Sequence, residues 1–200
     1  MSARPLVVVV AGPNGAGKSA AAARLLLGVL RVDTYLNGDD IASSLDGVSG
    51  EAADWRASQL MLARMLDLAK QGRSFAFETT LAGRSTPKRL RWLTARGYRS
   101  QAIFLWLPNP QMAIDRVRSR TLTGGHDVPA ETIIRRYHAG LIHFRTLLRP
   151  IADNWRVYDN AGATPRLIAF GRRMTKERIK DAQAWQRFLD GSADAATDDR

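Results

Sequence analysis

The segment Gly12-Pro13-Asn14-Gly15-Ala16-Gly17-Lys18-Ser19 satisfies the pattern G-x-x-x-x-G-K-[ST] in full. Its chemistry is phosphate binding. Glycines let the backbone wrap an anion with successive N–H groups turned inward, and a helix that starts there adds its positive dipole end. Lys18 is the side chain placed to reach β- and γ-phosphates, and the Ser19 hydroxyl is placed to ligate Mg²⁺. Two acidic positions lie at the ends of later apolar runs. Asp39 follows Tyr35-Leu36-Asn37-Gly38, and Glu78 follows Phe75-Ala76-Phe77. A phosphotransfer site needs such a carboxylate to accept the proton of an acceptor hydroxyl in line with the γ-phosphate. Asp39 is the base this pattern favours. Asp40, one residue on, suits capping the helix that starts near Ile41, a frequent task for aspartate. Asn37 and Thr80 remain for the acceptor, and Glu78 either orients the acceptor or binds Mg²⁺ through water, with the Thr79 and Thr80 hydroxyls beside it.

A third group of residues is basic. Arg116 and Arg120 lie four apart and share a helical face. Gly124-Gly125-His126 then interrupts the chain, and Arg135-Arg136 stand on the helix beyond. Helix, break and helix carrying arginines suits a lid that closes over phosphates and offsets charge as a phosphoryl group moves. His126 is read as incidental to catalysis, and Arg118 belongs to another helical face.

These residues need a frame that brings them together. Leu6 to Val10 is a continuous β-branched run, as a strand buried on both faces requires. Helical sequence follows from Lys18 to about Leu27. Further strands are read at Val32 to Leu36, Ser74 to Phe77, Gln101 to Leu107 and Trp155 to Tyr158. Helices are read at Ala57 to Lys70, Pro87 to Arg96, from Pro110 behind the capping Asn109, from Pro129 to about Leu148, and at Thr175 to Leu189. Strands alternating with helices predict an α/β fold of the P-loop NTPase type. The expected form is nucleotide-kinase-like: a parallel sheet, helices on both faces and a helical lid. One domain over 1–189 is expected, with the lid near 116–136 and a disordered tail at 190–200. In such sheets the ligand crevice lies at the carboxyl ends of the strands, which sets Asn37, Asp39, Glu78 and Thr80 opposite the glycine-rich loop.

Composition narrows the class further. The chain has 200 residues, no cysteine and 45% hydrophobic residues, which excludes disulfide scaffolds, thiolate metal sites and cysteine nucleophiles. No apolar run approaches the ~18 residues of a membrane span, so a cytoplasmic protein without membrane contact is expected. The net charge is +11, and 25 of the 30 basic residues are arginine. Such a surplus attracts anions, and arginine binds phosphate with a planar fork. A motor ATPase would carry an apolar strand ending in Asp or Asp-Glu, and a GTPase would carry Asn-Lys-x-Asp; neither is present. A small kinase fits best, with ATP and Mg²⁺ as cofactors. Two alternatives are a polynucleotide-kinase-like protein, motivated by the charge, and a regulatory ATPase without an acceptor. Nucleic acid is disfavoured, because the strand-end residues are acidic and no aromatic-and-basic stacking pattern is evident along the chain.

With these pieces in place, the chain resembles the zeta toxin family of P-loop kinases. The resemblance rests on the glycine-rich loop, Asn37-x-Asp39-x-Ile41-Ala42, Phe77-Glu78-Thr79-Thr80-Leu81 and Arg116-Val117-x-x-Arg120. It continues through Gly124-Gly125-His126-x-Val128-Pro129, Arg135-Arg136-Tyr137 and Tyr158-Asp159-Asn160. It covers roughly residues 5 to 160, in the compact Gly-Gly-His branch. The resemblance implies ATP-dependent phosphorylation of a small molecule, in the toxin members a UDP-N-acetylamino sugar. It also implies that Lys18 and Ser19 serve ATP·Mg²⁺, that Asp39 is the base, and that Glu78 and Thr80 hold the acceptor. Arg116 and a second lid arginine (Arg120, Arg135 or Arg136) would sit on phosphate. An antitoxin protein is the partner it implies.

Overall fold

The computed structural model describes residues 4–25, 32–45, 51–122 and 127–194. The chain begins with β1 (Leu6–Ala11), the glycine-rich loop and α1 (Lys18–Leu25). Next come β2 (Tyr35–Leu36), α2 (Gly38–Ser43), α3 (Glu51–Lys70), β3 (Phe75–Thr79) and α4 (Ser85–Ala95). The second half holds β4 (Arg99–Trp106), α5 (Pro110–Thr121), α6 (Ala130–His143), β5 (Asn154–Asp159), β6 (Arg166–Arg172), β7 (Arg178–Ile179) and α7 (Ala182–Asp194). A π-helical turn, Phe144–Leu148, continues α6.

The seven strands form one sheet in the order β2-β3-β1-β4-β5-β6-β7. β1 is central, and Val7 to Val10 are wholly buried, as the continuous β-branched run requires. The first five strands run parallel, with Val9 beside Phe77 on one side and Ala102 on the other. Their carboxyl ends therefore share one edge, and the loops that follow them meet there. On one sheet face Phe104, Trp106, Val157 and Trp155 pack against the π-helical turn and α7. Phe104 lies 4.9 Å from Phe144 and 5.6 Å from Phe188, centroid to centroid, and Trp155 stacks on Trp185 at 5.8 Å.

The structure departs from the sequence-based expectation at the C-terminal end. Residues read as the start of a helix at Thr175 instead close a β6–β7 hairpin, and both strands pair antiparallel, so the sheet is mixed. The last helix begins at Ala182 and runs through Asp194, five residues past the boundary expected at 189. The physical reason is local. Asp181 accepts from the Ala184 N–H at 2.9 Å and caps the helix there, while Lys176 to Lys180 offers no apolar stripe to bury. At α2 the cap is Asn37, whose side-chain oxygen accepts from the Asp39 N–H at 2.9 Å, not Asp40. The expected cap at α5 is present, with Asn109 accepting from Met112 N–H at 2.8 Å. The expected break at Gly124-Gly125-His126 lies outside the described residues.

Candidate active site

The loop after β1 turns on glycines that no other residue could replace without movement. Gly12 donates its N–H to Thr79 O at 3.2 Å, and a Cβ there would sit 2.4 Å from the Leu105 carbonyl oxygen. Gly15 and Gly17 hold φ of 71° and 73°, in the left-handed region. The loop is also latched from the far end of the chain. Asn160, immediately beyond β5, donates its side-chain N–H to Ala16 O at 2.6 Å. Asn14 Oδ1 is buried with no hydrogen-bond partner in the described structure, which is tolerated where a ligand is to lie. Together the loop is a preformed concave backbone surface ahead of the α1 N-terminus, the geometry that holds a phosphate chain.

Lys18 folds back over this loop and donates to Pro13 O at 3.1 Å. Loss of water around its ammonium lowers its pKa from the usual lysine value, while the charges of Glu78 and Asp39 pull it back up. Arg120 and Arg136 add to the lowering. Lys18 therefore sits in a partly dehydrated place between two carboxylates and two arginines, a setting in which an anionic ligand would further favour its charged form.

Glu78 is the hub of the acidic side. One of its carboxylate oxygens accepts from Ser19 Oγ at 2.9 Å and from the Tyr35 hydroxyl. Burial first, and the charge of Glu78 second, push the Tyr35 phenol far above the usual tyrosine value, so it stays a donor. Asn37, while capping α2 through its oxygen, turns its nitrogen to Ser19 Oγ at 3.4 Å. The Ser19 hydroxyl and the Glu78 carboxylate are adjacent hard oxygens. They suit Mg²⁺, which takes few protein oxygens and shares the rest with phosphates and water.

Asp39 stands in the first turn of α2, with its carboxylate exposed and 3.6 Å from Arg120 Nη1. Thr80 lies just past β3 in a tightly held stretch. Its carbonyl oxygen would be 2.7 Å from a Cβ at Gly140 of α6, and Leu81, at φ 59°, accepts from His143 Nδ1 at 2.9 Å when that nitrogen carries the proton. Gly140 thus lets α6 press directly on the strand end that carries Glu78 and Thr80.

The arginines separate into distinct positions. Arg116 lies against Gly15 and donates to the carbonyl oxygens of Asn160 and Ala161 at 2.8 and 2.7 Å. Arg120 faces Asp39. Arg136 is close enough to lower the Lys18 pKa, whereas Arg135 is exposed. The structure thus gathers Lys18, Ser19, Asn37, Asp39, Glu78, Arg120 and Arg136 at one edge, with Thr80 and Arg116 bordering them.

Two contributors were not legible as site residues. Tyr35 precedes Asn37 by two positions, so strand alternation sets both on one face; that spacing was the available signal. Asn160 was visible only as part of Tyr158-Asp159-Asn160, since nothing local ties it to a loop 144 residues away.

The fold and this cradle define a nucleotide-binding P-loop protein of the phosphotransferase class. The zeta toxin family model matches residues 1–167, and the chain belongs to that family. A relative from Haemophilus influenzae, itself uncharacterized, is 24% identical over 126 residues, 63% of this chain and 88% of that protein. Among solved structures, the AvrRxo1-ORF1:-ORF2 complex with ATP superposes at a TM-score of 0.72 and 15% identity. That match covers 94% of this chain, which spans 64% of the matched chain. The PezAT toxin-antitoxin system of Streptococcus pneumoniae aligns at a TM-score of 0.60 and 15% identity, covering 98% of this chain and 88% of the other. No helix of the described residues is long and apolar enough to cross a membrane.

Proposed function

We propose that the chain transfers the γ-phosphate of ATP to a hydroxyl of a small molecule, with a UDP-N-acetylamino sugar as the acceptor class the family resemblance implies. The observation that carries this reading is the meeting of two unlike carboxylates at one edge. Glu78 is committed to Ser19 and Tyr35, while Asp39 is exposed and turned to the crevice side. Division of labour follows. Ser19 and Glu78 would hold Mg²⁺, which supplies charge neutralisation at the phosphates when bound. Loop amides and Lys18 bind the β- and γ-phosphates. Asp39 accepts the proton of the acceptor hydroxyl as its oxygen bonds to the γ-phosphorus and the bond to ADP breaks. Arg120 holds the Asp39 carboxylate before substrate enters and lies within reach of the same charge. Thr80 and Asn37 border the place the acceptor takes. An antitoxin-type protein is the partner the reading favours; PezAT is described as a toxin-antitoxin system, and AvrRxo1-ORF1 was solved together with AvrRxo1-ORF2.

The test separates base from metal support. In Asp39→Asn, ATP·Mg²⁺ affinity by calorimetry should stay within a few-fold, while turnover of the acceptor (found by mass spectrometry of an ATP-dependent metabolite screen) falls at least ~100-fold. Affinity lost together with rate would assign Asp39 to the metal instead. Unchanged turnover would remove it from the chemistry.

A further inference from the structure

The other end of the sheet carries a second anion-binding feature, far from the cradle. β6 and β7 pair antiparallel onto β5 so that Arg156, Phe170 and Arg178 stand abreast across three strands. Asn154 pairs with Arg172 one pleat further on the same face. Trp155 and Val157, which alternate with Arg156, are buried on the opposite face. A concavity of about 400 Å³ opens here; besides Trp155 its lining includes Arg156, Phe170, Arg172, Lys176 and Arg178 and no carboxylate. None of these four cations takes part in an ion pair within the described structure. Nearby carboxylates are already engaged: Asp153 with Arg173, Glu177 with Arg149, and Asp181 with Arg166. Three of the four cations and Phe170 also lie beyond residue 167, where the family model ends.

We propose that this face binds single-stranded nucleic acid. Four unpaired cations around a half-buried aromatic ring on a sheet surface match what a single strand presents. Phosphates meet guanidinium forks, and an unstacked base covers the ring. An acidic polypeptide would satisfy the cations but offers a planar group only where it carries an aromatic residue, whereas every nucleotide carries a base. Along the linear sequence this pattern is invisible, since Arg156, Phe170 and Arg178 are 14 and 8 residues apart; strand register assembles it. The concavity lies at the amino end of β5, and Arg156 and Asn154 are about 13 and 20 Å from Asn160 along the strand at ~3.3 Å per residue, so it serves binding and not phosphate transfer.

The experiment uses the full chain and fluorescein-labelled 12-mers of oligouridylate and oligothymidylate, read by anisotropy across about 50 to 200 mM salt. Micromolar or tighter, salt-dependent binding is expected. Arg156→Gln with Arg178→Gln should reduce the slope of log affinity against log salt by about 1.4, ~0.7 for each lost phosphate contact. Phe170→Leu, which keeps the packing, should weaken binding about tenfold with the slope unchanged. Preference for one oligonucleotide identifies RNA or DNA as the ligand. ATP·Mg²⁺ affinity should be equal in all three proteins, which keeps this test separate from the kinase reading. No binding, or binding lost in Arg120→Ala and untouched by the face variants, overturns the proposal. So does displacement by polyglutamate with no dependence on Phe170, which would assign the face to an acidic protein.

Discussion

At the scale of one residue, Lys18 shows how a binding site stores an unfavourable charge. Folding lowers its pKa, so the unfolded chain holds that proton more firmly than the folded one. The resulting penalty is constant below the folded pKa and fades as pH rises from that value toward the usual lysine range. Lys18→Met removes the ammonium while keeping the stem. We expect ATP turnover to vanish and the Tm of the ligand-free protein to stay equal or rise at pH 7. Added ATP·Mg²⁺ should raise the Tm of the wild type well above its effect on the variant. A variant that melts clearly lower would mean Lys18 supports the empty fold instead of straining it.

Among elements, the connection between α5 and the segment after β5 matters most. Arg116 grips the carbonyl oxygens of Asn160 and Ala161, and Asn160 in turn holds Ala16. The sequence reading set Arg116 on the phosphates through a lid. Its contacts with Asn160 and Ala161 point to a further role, and we propose that Arg116 also positions the loop. Arg116→Ala should therefore raise the KM for ATP about tenfold while kcat falls much less, and Asn160→Ala should do the same. Arg116→Lys should rescue only partly, because an ammonium cannot span two carbonyls. A drop confined to kcat would restore the direct role. This contrast shows what was legible. The glycine-rich loop could be read because its function is written in contiguous residues, and β1 because four buried valines leave no helical period. Arg116 could not be read fully, because an arginine's partner is set by tertiary geometry. The β6–β7 hairpin was missed for a related reason. β7 is only two residues long, and the apolar run Leu167 to Phe170 of β6 is too short to tell strand from helix by period, so pairing with β5 decides their form.

On the scale of the whole molecule, all four tyrosines are shifted the same way. Burial raises the pKa of Tyr35, Tyr98, Tyr137 and Tyr158, with Tyr137 pushed up to about 12. Each phenol contributes stability that is fully present below the ordinary value near 10 and is lost as pH climbs through the folded value. Tyr137 spends its proton on Leu107 O at 2.7 Å, beside the end of β4. Tyrosinate absorbance should consequently lag behind that of free tyrosine above pH 10 and then rise together with loss of far-UV circular dichroism. Normal titration near 10 with the fold intact would contradict this account. The latch from Asn160 to Ala16 has a consequence during synthesis. Because its partners are 144 residues apart, a growing chain makes the glycine-rich loop long before Asn160 is there to lock it. At about 5–20 residues per second that interval is roughly 7–30 s. Throughout it the nascent polypeptide carries the full phosphate-binding motif without a closed cradle, so nucleotide capture waits for the segment after β5.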